Sequence, residues 1–155
     1  MRNKKVAVYT ASKTTHAAFW LELRTLCPEV HWTARWPFFV SAGVEESPEQ
    51  ASSFWLDDQN DVRAADIVLV YAAKDDVLRG ALVEVGMALE QNKKIYLLGE
   101  TPSFGSWQHH PNVTHIRGLN KFLFEYAGGH LGSMDKVQAR FPDICGTPII
   151  SGGDF

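Results

Sequence analysis

Two carboxylates and a phenol stand where they can act together on one substrate. Glu84 follows the run Ala65-Asp66-Ile67-Val68-Leu69-Val70-Tyr71, the loop 72–79 and the apolar stretch beginning Gly80-Ala81-Leu82-Val83. That order reads as a buried strand, a loop, and a helix starting at Gly80, with Glu84 in its first turn. A helix dipole favours an ionised carboxylate there, which suits a nucleophile or a general base. Asp58 lies eight residues before the strand-opening Asp66. It sits in a helix running antiparallel to that strand, so it can approach the pocket that Glu84 faces. Alone it reads equally as one charge of a solvated acidic face with Asp57 and Asp61. Tyr9 sits near the end of the first apolar run, as a site residue or as a core aromatic with a satisfied hydroxyl. Two carboxylates flanking a glycosidic bond form a known chemical kit: one attacks the anomeric carbon, the other handles the leaving-group proton.

Further candidates lie in the neighbouring loops. Ser12, Lys13 and His16 occupy the first strand-to-helix loop, where backbone amides attract anions. Asp76 and Arg79 occupy the loop before Gly80, and Lys13 with Arg79 can hold a phosphate. Both cations also fit a purely solvated role. Trp36 and Trp107 lie in loops and offer faces for a nucleobase or for partial core packing. No G-x-G-x-x-G is present, so a dinucleotide fingerprint is absent. His109, His110 and His115 lack metal-ligand spacing, and no cofactor or metal is expected.

These side chains need a scaffold of alternating strands and helices. Strands are expected at 5–10, 30–34, 65–71, 95–98 and 113–116. Helices are expected at 17–26, 48–65, 80–91 and 119–126, with Ser47 as N-cap before Pro48. The helix after Gly80 has its predicted apolar face at Leu82, Val85, Gly86 and Leu89. The alternation predicts an α/β fold: a doubly wound, flavodoxin- or Rossmann-like, parallel five-stranded sheet with helices on both faces. Ligands in such sheets bind beyond the carboxyl ends of the strands. The relevant loops here are 10–16, 72–80 and 99–112. Residues 1–128 read as one domain. Residues 129–155 carry many glycines without a clear period and read as a tail, mobile or packed on a neighbouring subunit.

Composition narrows the class. The chain has 155 residues, 45% hydrophobic and 21% charged, enough for a single domain with a real core. A net charge of −3 argues against a general surface for polymeric nucleic acid. Cys27 and Cys145 make neither a disulfide framework nor a metal pattern, which fits a reduced, cytoplasmic setting. No apolar run approaches the ~20 residues needed to span a bilayer. Residues 6–11 are too short and too polar-flanked for a signal peptide.

The segment from Ala65-Asp66-Ile67-Val68 through Gly80-Ala81-Leu82-Val83-Glu84-Val85-Gly86 to Lys93-Lys94-Ile95-Tyr96 resembles the nucleoside 2-deoxyribosyltransferase family and the related deoxynucleoside 5′-monophosphate N-glycosidases. The resemblance spans roughly residues 5–100 and is firm at about 56–99. It implies that Glu84 is the nucleophile taking the 2-deoxyribosyl group, that Asp58 serves the nucleobase proton, and that Tyr9 places the nucleophile. It also implies a small nucleoside or nucleotide substrate, no cofactor, and a homodimer or higher homo-oligomer whose subunits complete one another's sites. The family's acidic residue or serine six positions before the nucleophile is Leu78 here, with Asp76 as the nearby alternative. The glycine-rich first loop of the monophosphate glycosidases is replaced by Ser12-Lys13-Thr14-Thr15-His16. Transfer and hydrolysis both stay open, as does a non-catalytic nucleotide-binding or sensing protein on the same fold.

Overall fold

A computed structural model describes residues 5–36 and 47–146. Five parallel strands form one sheet: β1 (Ala7–Ala11), β2 (His31–Trp32), β3 (Ile67–Ala72), β4 (Lys94–Gly99) and β5 (Val113–Ile116), in the order β2-β1-β3-β4-β5. That is the expected doubly wound order, with its switch point between β1 and β3. Tyr9 pairs with Val68, and Ala11 with Val70. β3 runs two residues past the end of β1, and the loops that follow them meet where His16 reaches Asp76.

Alternation along the strands separates two cores. Val8, Leu69, Tyr96 and Leu98 face α1 (Ala17–Leu26) and α4 (Leu119–Glu125), with Trp20, Leu23, Phe122 and Leu123 buried between them. Tyr9, Ala11, Val68, Val70, Ile95 and Leu97 face the other way, against α2 (Pro48–Ala64) and α3 (Gly80–Glu90). Helix α2 starts as expected. Ser47 accepts the amide of Gln50, the Gln50 side chain accepts the amide of Ser47, and Pro48 follows. Its carboxyl end is tied to the turn between α3 and β4 by Lys93, whose ammonium donates to the carbonyls of Arg63 and Ala65.

Three expectations change. The second strand is only His31–Trp32, shorter than 30–34. The buried stripe of α3 is Ala81, Glu84, Val85 and Ala88, while Leu82 and Gly86 are exposed. This helix is apolar nearly all round, so periodicity left its rotation open, and packing selects the small alanines for the sheet. Residues past Gly128 are not without regular structure: α5 (Leu131–Arg140) and α6 (Pro142–Cys145) follow, with Met134, Val137 and Cys145 buried in the α1 and α4 core. Gly128 and Gly146 hold positive φ at the two ends of this pair, where glycine costs least. Residues 147–155, the rest of the predicted tail, lie outside the described residues. Among the described residues no helix is long and apolar enough to cross a membrane.

Candidate active site

Tyr9 is the middle residue of β1 and points into the α2 and α3 core. Its hydroxyl donates to Oε2 of Glu84. Both residues are buried, at 2% and 9% exposure. Helix α3 begins at Gly80, so Glu84 opens the second turn rather than lying in the first. The dipole acts mainly within the first turn, and burial outweighs it. Burial pushes the Glu84 carboxyl up to about 8, against the Tyr9 hydrogen bond, with the charge of Asp58 adding to the rise. The expectation of a carboxylate kept ionised by the dipole is thereby corrected.

Asp58 completes the group from α2. Burial and the neighbouring Asp61 raise its carboxyl to about 6, while the Tyr9 hydroxyl and the more distant Arg35 favour its charge. Tyr9 itself is held firmly protonated by burial and by both carboxylates. Three elements thus bring together a phenol and two acids that hold one proton between them at neutral pH. Such a group can attack with one carboxyl and donate from the other.

The loop candidates occupy a second cluster at the switch point. Nε2 of His16 lies 2.6 Å from Oδ2 of Asp76, and its ring meets Tyr71 edge-on at 4.9 Å. The same Asp76 oxygen accepts the amide of Ala73 at 2.9 Å. Burial opposes the Asp76 charge, yet His16, the Ala73 amide and nearby Lys13 hold its pKa below the usual range. Lys13 and Arg79 are exposed. Ser12 is already engaged, accepting the indole N–H of Trp20 at 2.8 Å and donating to the Lys13 carbonyl. Gly80 lies under Trp55, whose ring stands 3.5 Å from where a Cβ would sit.

Trp36 caps the end of β1. Its indole N–H donates to Oγ1 of Thr10 at 2.7 Å, and its ring stacks on Trp20. Trp107 lies in the single helical turn Ser106–His109, half-buried against Phe104. Leu78 is buried in the α3 core, and its amide donates to the Ser103 hydroxyl. Its side chain therefore offers nothing polar at the position, six before Glu84, where the sequence resemblance implied an acid or a serine. A cavity of about 330 Å³ opens at the carboxyl ends of β3, β4 and β5, between Tyr71, Lys74, Glu100, Arg117 and Asp143. It lies on the α4 side of the sheet, away from Glu84. Among the described residues no group of three or more His, Cys, Asp and Glu is arranged to hold a metal ion.

Sequence reasoning missed Arg35 and Asp61. Arg35 Nε lies 2.9 Å from Asp61 Oδ2, and Nη2 lies 3.3 Å from Oδ1. The available signal was a lone cation shortly before an acidic helix face, which does not say which acid it meets.

No protein-family model and no curated protein matches the chain. Solved structures do. A 2-deoxyribosyltransferase from Bacillus psychrosaccharolyticus aligns with a TM-score of 0.54 and 16% identity, over 72% of this chain and 86% of that one. A CMP N-glycosidase from Clostridium botulinum aligns with a TM-score of 0.46 and 18% identity, over 71% and 87%. A conserved protein from Enterococcus faecalis aligns with a TM-score of 0.45 and 15% identity, over 88% of both chains. At 16% identity, the first of these shows a shared fold.

Proposed function

We propose that this chain is an enzyme that cleaves the N-glycosidic bond of a 2′-deoxynucleoside or its 5′-monophosphate. The observation that carries the reading is the meeting of buried Glu84 and Tyr9 with half-buried Asp58. The sequence resemblance and the fold shared with a 2-deoxyribosyltransferase support the substrate class.

In this reading the one proton of the coupled pair passes from Glu84 to Asp58, and an oxygen of the Glu84 carboxylate so formed attacks the anomeric carbon. The C–N bond breaks, and its electron pair passes to the nucleobase nitrogen. Asp58 delivers a proton to the base, leaving a deoxyribosyl ester on Glu84. A second base or water then attacks the same carbon and frees Glu84. Asp58 recovers a proton from that nucleophile, so charge and protons balance over the cycle. Tyr9 holds Glu84 by its hydrogen bond. Asp76, His16, Lys13 and Arg79 surround the sugar's hydroxyls or 5′ end, with Ser12 and Gly80 shaping the loop and Trp36 and Trp107 flanking the base. The protein works as a cytoplasmic homodimer or higher homo-oligomer. The free thiols of Cys27 and Cys145 fit a reduced setting.

Buried Leu78 favours a second reading, a nucleotide-binding or sensing protein without turnover. One experiment separates the two. Deoxynucleosides and their monophosphates are incubated with the protein, with and without acceptor base, and free base is followed by chromatography. Release that disappears in Glu84→Ala, with a deoxyribosyl adduct in the wild-type mass spectrum, supports the enzyme. Tight binding without release from any substrate supports the sensor. Full turnover in Glu84→Ala removes the assigned nucleophile.

A further inference from the structure

The segment after β2 is fastened on three sides. From α1, Arg24 Nη1 donates to the carbonyls of Ala34 and Arg35, at 3.3 and 3.4 Å. Toward β1, Trp36 donates to Thr10, the residue after Tyr9. Toward α2, the Arg35 guanidinium grips Asp61 with two donors and stands 3.9 Å from Asp57.

Asp61 is 8% exposed, whereas the Arg35 side chain is largely in solvent at 59%. Their pairing is therefore one-sided. A buried carboxylate without a partner is costly, so Asp61 depends on this cation more than the cation depends on Asp61. Asp61 also lies three residues beyond Asp58, and side chains at that spacing are neighbours on a helix surface. Its charge falls on Asp58, and the charge of Arg35 opposes it.

We propose that Arg35 is a positioning residue for Asp58: by gripping Asp61 it holds α2 against the end of β1 and offsets the negative charge that Asp58 would otherwise face. The importance of this for catalysis rests on the glycosidic reading, in which Asp58 carries the leaving-group proton. The charged and titratable groups facing Asp58 are Tyr9 from β1, Glu84 from α3, Asp57 and Asp61 from α2 itself, and Arg35. Among the described residues around it, Arg35 is the cation. Removing it leaves Asp61 to oppose ionisation of Asp58. Removing the Asp61 charge leaves Arg35 to favour it. A purely structural brace has no reason to produce opposite effects.

The test is a carbon NMR titration of the Asp58 side-chain carboxyl, assigned by its loss in Asp58→Asn, in wild type, Arg35→Gln, Arg35→Lys and Asp61→Asn. The expected midpoint rises in Arg35→Gln and falls, by the larger amount, in Asp61→Asn. Arg35→Lys, which keeps the charge, stays near wild type. Where base release is measurable, the acid limb of kcat/KM moves with the midpoint. Midpoints that do not move, or that move in the same direction in Arg35→Gln and Asp61→Asn, overturn the proposal. If circular dichroism shows that Arg35→Gln does not fold, Asp61→Asn decides: a midpoint that fails to fall overturns it. The titration needs no activity. Opposite shifts in a protein that releases no base would sink the glycosidic reading and leave the role of Arg35 standing.

Discussion

The Tyr9 hydroxyl donates to Oε2 of Glu84 across 75 positions of sequence, joining the middle of β1 to the second turn of α3. The bond is made in a nearly dry interior, where a hydrogen bond counts for more than in water. Asp58 lies against the same tyrosine from a third element. Two acids raised by burial in contact with one phenol titrate as a unit, with apparent pKa values that belong to the pair.

The first prediction is a bell-shaped pH dependence. The singly protonated pair is the form that can attack and donate, and it predominates between about 6 and about 8. Base release should therefore peak near neutrality, falling below 6 as both acids protonate and above 8 as both ionise. Tyr9→Phe removes a hydrogen bond that lowers the Glu84 pKa, so the alkaline limb should move up. The rate should drop by roughly 10- to 100-fold, the size of a lost hydrogen bond to a charged group. A kcat/KM profile of both proteins checks both statements.

The second prediction concerns stability at alkaline pH. The folded-state pKa of Glu84 lies above its ordinary 4.5, so the folded protein holds a proton that the unfolded chain releases. The stability contributed by that proton is complete below 4.5 and is lost as pH rises through about 8. Glu84→Gln keeps an acceptor for Tyr9 and does not titrate. It should match wild type near pH 4 and exceed it above pH 8 by on the order of 2 kcal/mol, while abolishing base release. Thermal melts across this range would show it. A gap that stays constant with pH would contradict the buried proton.

A third prediction lies outside the site, at the start of α5. Glu29 accepts the amide of His130 at 2.6 Å and the Ser133 hydroxyl at 2.9 Å. Burial opposes its charge, but the His130 amide, its own backbone and Ser133 together lower its pKa below 4.5. Its contribution is therefore present above 4.5 and lost as pH falls through the lower folded value. Glu29→Ala should cost about 1 kcal/mol at neutral pH, the usual worth of a helix cap. The urea midpoints of the two proteins should converge in acid.

The fourth prediction tests the join between β3 and β4. Gly99 has φ +95°, and a Cβ there would stand 1.9 Å from the carbonyl oxygen of Ala72 on the paired strand. Gly99→Ala must bend one strand end, at a cost of about 2–4 kcal/mol in urea unfolding. Ala72 opens the loop that carries Asp76, so base release should fall as well.

Much of this arrangement is written in the chain itself. The apolar runs with β-branched residues, the Ser47-Pro48 start of α2 and the Gly80 start of α3 are local signals, and local backbone physics enforces them. The same regularity brings Asp58 and Glu84 within reach, since a helix returning antiparallel to a strand must pass its far end. Other features had no local signal. The rotation of α3, which buries Glu84, was undetermined because that helix is apolar on most sides. The state of its carboxyl depends on the dielectric around it, and only packing sets that. Arg35 grips Asp61 with two donors and reaches Asp57 only at 3.9 Å because α2 lies at one particular distance from the end of β1. The buried face of α5 was hidden because its short apolar period is set among glycines and charges. Sequence determined which residues could meet and which elements carry them. Tertiary structure decided which of them lost water, and that is what separates an acid that holds its proton from one that gives it up.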